Sequence, residues 1–373
     1  MINSILVIGQ LPPPIHGSNI MTEVLIKSLQ ELSYPFCLVE KKFSLQQKEV
    51  GKPTLNKALK VPFLLKNLFL TCKKHRPNLC IFFISLGPTS FLCDALSIFI
   101  LRLFKINYLL YIHGIGIKRL VQSKNPIISY LAQTIFRNAF GALILGENMR
   151  SEIAPFLCQN RIFILPNAIP DMTAEFSNID ISTDNHLKLL YLSNLRPSKG
   201  IMDFLEMAKK IHSKRKDVHF IIAGPYRDKR FFNEINKVIQ KEKLARCTKL
   251  VGEVSGEEKA KLFATSDIFV FPSHQEAFPL VNIEAMEWAI PVISTNVGCI
   301  REMIINNING FIVEPHDVDM LTDRVTQLLD DPILRKKMGN AGRMLYEKNY
   351  TIKTYKKNLK NILVFIDRSL NKK

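Results

Sequence analysis

The segment Phe271–Thr295, FPSHQEAFPLVNIEAMEWAIPVIST, decides how the rest of the chain is read. A β-branched and aromatic run, Ile268–Phe271, ends where it begins, and a second such run, Val292–Ser294, starts near its close. The loop between them carries Glu276, and Pro279, with its fixed φ and missing donor, suits the first position of a helix. Strand, helix and strand at these lengths form a βαβ unit, so the two strands run parallel. Backbone amides near Leu280 and Val281, at the positive end of the helix, make a ready anion site. Glu276 lies beside that end and Glu284 about a turn and a half into the helix, so two carboxylates flank it. Each carboxylate is a double acceptor suited to pairs of hydroxyls, although lone glutamates in a loop or on a helix are mostly just solvated.

The same alternation extends outward in both directions. Ser4–Ile8, Cys80–Ile84, Tyr108–Ile112, Ala142–Leu145 and Ile162–Leu165 read as strands separated by helical patterns, as do Leu187–Leu192, Val218–Ala223 and Thr248–Val251. Between the two series, Asp171–His186 is polar and aperiodic, as expected of a linker. The expected architecture is α/β, with two Rossmann-like domains whose parallel sheets face each other across a deep cleft at their strands' carboxyl ends. Residues 1–168 form the first domain and 169–350 the second. A basic helix over 351–373 either docks on a domain or frays.

At 373 residues the chain can bury two ordinary cores without staples. Its seven cysteines are odd in number and scattered without a CxxC pair, which disfavours a disulfide framework or a cysteine zinc site and suits a reducing cytoplasm. The opening MINSILVIGQ lacks the basic and long apolar regions of a signal peptide and reads as a buried strand. The most apolar stretch, Phe91–Ile112, is broken by Asp94, Arg102, Lys105 and Asn107, short of the roughly 20 apolar residues of a membrane span.

The net charge of +18 is uneven: Met1–Pro166 carries 19 basic against 7 acidic side chains (+12), and the remainder 32 against 26 (+6). Within Lys41–Arg76, ten basic residues and one acid interleave with Phe63, Leu64, Leu65, Leu68 and Phe69. That mixture suits an anionic membrane surface and equally a solvated helix face over a core stripe. Net charge alone does not choose among polyanions, so it gives nucleic acid no special standing.

Two further segments place polar groups at strand ends. The loop PPPIHGS (Pro12–Ser18) follows the first strand and precedes a helix starting near Asn19, so Gly17 lets backbone approach a diphosphate. His113, in YIHGIG, ends a strand, where a lone histidine is more often structural than catalytic.

The spacing of Glu276 and Glu284, with PS before the first, EAM at the second, then PVIST, NVG and NGFIVEP, resembles the EX7E region of retaining family-4 glycosyltransferases of GT-B fold. SNLRPSKG (Ser193–Gly200), AGP (Ala223–Pro225), LPNAIP and LVGEVSGEEKAKLFATSDIFVFPS resemble further motifs of that family, so the likeness covers nearly the whole chain. The resemblance implies that Glu276 contacts donor-sugar hydroxyls, Glu284 holds the ribose and Lys199 neutralises the diphosphate. Asn194 stands where the family usually has an arginine, and Arg196, two positions on, is the candidate to take its place. It further implies an active-site role for His113, with Glu253 and Val254 near the base. The expected donor site is completed by Gly17, Phe278, Pro279, Leu280 and Val281.

The implied activity is transfer of a sugar from a UDP- or GDP-sugar to an acceptor hydroxyl with retention, in bacterial polysaccharide or lipopolysaccharide synthesis. No cofactor or essential metal is implied, since the cations of the matched motifs can serve the diphosphate. Expected partners are a carbohydrate or lipid-linked oligosaccharide acceptor and an anionic membrane, with no nucleic acid, at the cytoplasmic face of the plasma membrane. The alternatives are a nucleotide-sugar epimerase of the same fold and a non-catalytic basic membrane-binding protein.

Overall fold

The computed structural model describes residues 2–13, 16–43, 55–176 and 186–371. The chain falls into two units, Met1–Ala168 joined by Ile352–Lys373, and Ile169–Thr351.

The first unit holds strands β1 (Ile5–Gly9), β2 (Phe36–Glu40), β3 (Leu79–Phe83), β4 (Asn107–Ile112), β5 (Gly141–Ile144) and β6 (Ile162–Ile164). Its helices are α1 (Gly17–Glu31), α2 (Leu55–His75), α3 (Pro88–Leu103), α4 (Ile117–Val121), α5 (Pro126–Asn138) and α6 (Arg150–Ile153). The strands form one parallel sheet in the order β2-β1-β3-β4-β5-β6. β1 and β3 are buried along their whole length, as expected of central strands covered on both faces.

The second unit repeats the plan with β7 (Leu187–Leu192), β8 (Val218–Ala223), β9 (Thr248–Gly252), β10 (Ile268–Phe271), β11 (Val292–Thr295) and β12 (Gly310–Val313). Between and after them run α7 (Ile201–Lys214), α8 (Lys229–Lys241), α9 (Gly256–Ala264), α10 (Leu280–Glu287), α11 (Ile300–Met303), α12 (Val318–Asp330) and α13 (Pro332–Asn349). The order is β12-β11-β10-β7-β8-β9, again all parallel. β10 and β11 pair directly, Phe269 opposite Val292, so the segment that opened the reading is a parallel βαβ unit in the middle of this sheet.

A last helix, α14 (Ile352–Leu370), belongs to the first unit. Its buried residues Tyr355, Leu359, Leu363 and Ile366 recur at helical spacing and form one apolar stripe. Tyr355 Oη lies 3.4 Å from Tyr111 Oη, the Phe365 ring is 5.6 Å from that of Phe163, and Lys356 pairs with Glu31.

Three details differ from the sequence reading. β2 and β12 were not anticipated as strands; each is an edge of its sheet, and β2 keeps only Val39 buried, so its side chains lack the continuous apolar run of a central strand. Lys41, counted in the basic stretch, is buried: Nζ donates to the Phe83 carbonyl and pairs with Asp94 at 3.0 Å. Within the segment read as a linker, Asp171 pairs with Arg343, and the Met172 amide donates to Glu287. Residues 177–185 of that segment, 44–54 of the basic stretch and 14–15 of the PPPIHGS loop lie outside the described residues. Among the described residues no helix is long and apolar enough to cross a membrane.

Candidate functional site

In the second unit the candidate residues cluster on the loops that leave β7 and β10. After β7 the chain passes Asn194, Leu195 and Arg196 into a short helical turn, Pro197–Lys199, which Gly200 closes with φ 71°. A Cβ on Gly200 would stand 1.8 Å from the Pro272 carbonyl oxygen, so only glycine lets this turn lie against the loop after β10. Two bonds seal the approach: the His274 amide donates to the Ser198 carbonyl at 3.0 Å and Ser273 Oγ to the same oxygen at 3.2 Å.

This closure brings Lys199 to Glu276. Lys199 Nζ donates to Glu276 Oε1 and, at 3.2 Å, to the Gln275 carbonyl, while Tyr191 Oη holds the Lys199 carbonyl at 3.0 Å. Both side chains of the pair are mostly buried, at 16% and 20% exposure, so water screens the attraction only partly. Gly298 backs the same loop: its φ is 54°, and a Cβ there would meet the Glu276 carbonyl oxygen at 2.2 Å.

Pro279 is the N-cap of α10 rather than its first helical residue, a shift of one position, and supplies no side-chain acceptor to the first turn. Phe278 and Leu280 are buried, Phe278 with its ring 6.0 Å from Tyr350, and Val281 is half-buried. Glu284 is the fifth residue of this helix. Its Oε1 accepts from Lys259 Nζ at 2.6 Å, and its Oε2 is buried with no hydrogen-bond partner. Leaving a carboxylate oxygen in that state costs free energy until a donor reaches it.

The sequence reading missed Lys259, although it lies inside the motif stretch Leu250–Ser273; nothing in a single sequence ties it to Glu284, 25 positions away. It also missed Arg227, which follows the AGP turn. Burial lowers the affinity of both Arg196 and Arg227 for their protons, and the Arg196 charge adds to the effect on Arg227. Two guanidiniums near each other and partly desolvated favour an anion between them. Asn194 Oδ1 is buried with no partner, which again leaves an acceptor for a ligand donor. Glu253 is exposed and Val254 half-buried in the turn between β9 and α9.

His113 and Gly17 belong to the first unit. His113 directly follows β4, its ring stacked on Phe83 at 5.1 Å and tilted against Tyr111 at 4.2 Å. Its Nε2 is buried without a partner, and desolvation presses its pKa down to about 3, so the imidazole is neutral at physiological pH. Glu152 Oε2 holds the following turn by accepting from the Gly116 and Ile117 amides at 3.1 and 2.9 Å. Gly17 opens α1, two residues earlier than the sequence suggested, with His16 as N-cap making no side-chain cap bond.

Residues 173–345 match the model of the family described as glycosyl transferases group 1. The chain is 28% identical over 161 residues to the capsular polysaccharide biosynthesis glycosyltransferase CapM of Staphylococcus aureus, covering 43% of this chain and 41% of that protein. Among solved structures, sucrose-phosphate synthase from Thermosynechococcus elongatus superposes with a TM-score of 0.76 at 17% identity, over 98% of this chain and 100% of that one. Anabaena HepE in complex with UDP-glucose gives 0.70 at 15% identity, over 97% and 99%. The matched stretches span 37% to 61% of the first curated relatives. Through residues 173–345 the chain therefore resembles the glycosyl transferases group 1 family, and its two Rossmann-like units have the GT-B fold.

Proposed function

We propose that this protein transfers a sugar from a nucleoside-diphosphate donor to an acceptor hydroxyl with retention of anomeric configuration. The observation that carries the reading is Glu284: one oxygen is held by Lys259 and the other is buried and unpaired, a vacancy that fits a ribose hydroxyl. The match of residues 173–345 to the glycosyl transferases group 1 model, and the UDP-glucose bound by the HepE structure, support a nucleotide-sugar donor.

In this reading Lys199 and Glu276 are a pre-set pair. When the donor binds, Lys199 turns to the diphosphate and Glu276 to the sugar hydroxyls, so neither charge is left bare. As the bond from the anomeric carbon to the diphosphate breaks, the departing oxygens gain charge. Lys199, Arg196, Arg227 and the first amides of α10, at Leu280 and Val281, stabilise it. The acceptor oxygen attacks from the same face and passes its proton to the leaving phosphate, which gives retention without a covalent enzyme intermediate. His113 is held neutral by burial, so the part we assign it is that of an uncharged hydrogen-bonding group rather than a cation. With these cations present no metal is required, and we expect activity to survive a chelator.

The acceptor we assign is a carbohydrate or lipid-linked oligosaccharide at an anionic membrane, in polysaccharide synthesis of the kind named for CapM. Two packed helices of the first unit support the membrane part. On α3, Leu92, Leu96, Phe99 and Leu103 recur at helical spacing and are all exposed, Phe99 at 67%; on α2 Phe63 is 76% exposed. Lys60, Lys66, Lys73, Lys74, Arg102 and Lys105 are exposed on or beside the same helices. Apolar rows with basic neighbours match an anionic lipid surface.

The test is a product assay over UDP- and GDP-sugars, with and without acceptor. Release of nucleotide that depends on acceptor supports the reading. Conversion of the donor sugar without acceptor would make the protein an epimerase.

A further inference from the structure

Apart from the Lys199–Glu276 pair, the second unit gathers Asp203, His274 and His316 from three separate segments. Asp203 is in the first turn of α7, His274 lies between β10 and Glu276, and His316 stands between β12 and α12. Asp203 Oδ2 is 2.7 Å from His274 Nε2 and 3.8 Å from His316 Nδ1, and the two imidazole centroids are 3.7 Å apart. One ligand atom from each residue lies within 4.8 Å of the others.

Tetrahedral zinc, with bonds of about 2.0–2.2 Å, holds its donors roughly 3.3 Å apart, so rotamer adjustments of about an ångström would close the three around one ion. The Asp203–His274 hydrogen bond accounts for two of the residues. His316 is not needed for it: its side chain is 70% exposed, yet the ring sits against His274 and its Nδ1 faces the same carboxylate oxygen. Two imidazoles and one carboxylate are the donor set of borderline divalent ions such as zinc.

We propose that Asp203, His274 and His316 bind a divalent transition-metal ion of the zinc class, with a fourth position open to water. This goes beyond the transferase reading, because the ligands are separate from Lys199 and Glu276 and the ion takes no part in the chemistry. Its effect is mechanical. His274 is two residues from Glu276, and its amide already bonds Ser198, the neighbour of Lys199. An ion held by Asp203 and His316 as well would brace that contact from three sides.

The test uses the full-length protein stripped with a chelator, freed of it, and titrated with Zn2+ or Co2+ alone by calorimetry, visible absorption and thermal melting. We expect one saturable site, intense visible Co2+ bands of low coordination number and a higher melting temperature. In His316→Ala and Asp203→Asn the affinity should fall at least ~10-fold, comparable to losses at metal sites whose supporting groups are removed. Circular dichroism should be unchanged. Absence of saturable binding, or parental affinity in either variant, would overturn the proposal.

Discussion

Lys199 and Glu276 stand 77 positions apart in the chain and meet through Nζ and Oε1 where the turn after β7 lies against the loop after β10. The pair joins a cation suited to a diphosphate with a carboxylate suited to sugar hydroxyls. It does so on a scaffold that Gly200 and Gly298 make possible.

Glu276→Ala is expected to cut transfer by more than ~100-fold, as does removal of a transition-state contact, and Lys199→Met by a similar factor. Initial rates with the preferred donor and acceptor measure this, with circular dichroism confirming an intact fold. Activity within a few-fold of the parent in Glu276→Ala would remove this carboxylate from the mechanism.

Lys259→Ala leaves Glu284 without its hydrogen-bonded cation, so the ribose contact loses its support. We expect KM for the nucleotide sugar to rise about 10-fold with kcat little changed, since the contact is made in ground and transition states alike. In a double-mutant cycle with Glu284→Gln the coupling should reach about 1 kcal/mol, and strict additivity would show the pair to be unrelated.

Two buried groups give opposite pH dependences of stability. His113, with its pKa lowered to about 3 by burial, takes up a proton more readily when unfolded, so stability falls as pH drops from about 6.5 toward 3. Glu287, pushed up to about 7 chiefly by burial, holds its proton more tightly when folded. Its contribution is complete below about pH 4.3 and is lost as pH rises through 7. Urea midpoints should therefore show Glu287→Gln more stable than the parent at pH 8 and close to it at pH 5. His113→Gln should flatten the acid side. A parent-like pH profile in both variants would contradict the assigned directions.

Gly200→Ala places a Cβ 1.8 Å from a carbonyl oxygen at positive φ. It is expected to destabilise the second unit by roughly 1–3 kcal/mol and to lower activity by moving Lys199. Denaturant unfolding measures the first effect; a variant as stable as the parent would mean that the turn has another acceptable conformation.

Phe63→Ser with Phe99→Ser should weaken binding to vesicles rich in anionic lipid by about 10-fold or more, given the apolar area each ring removes from water. Parental binding should itself decline with salt as screening grows. Sedimentation that is weak at low salt for the parent, or equal for both proteins, contradicts membrane docking through α2 and α3.

The alternation of buried strands with amphipathic helices was legible because central parallel strands, such as β1 and β10, are continuous apolar runs. Two edge strands were not: in β2 only Val39 is buried, so its side chains need no such run, and β12 is a four-residue GFIV that opens on a glycine, whereas the edge strands β6 and β9 were read. Of the candidate site, Glu276, Glu284 and Lys199 could be named from their resemblance to family motifs. Lys259 and Arg227 could not, because what identifies them is proximity created by folding. Lys41 shows the converse error, a lysine counted as surface charge that the fold buries beside Asp94.

The central claim is that a nucleoside diphosphate is gripped at the start of α10. A crystal structure with a bound UDP- or GDP-sugar tests it most directly. The account predicts the diphosphate at the α10 amides with Lys199 on its oxygens, and a ribose hydroxyl donating to Glu284 Oε2. A donor bound elsewhere on the chain, with Glu284 Oε2 still unpaired, would contradict it.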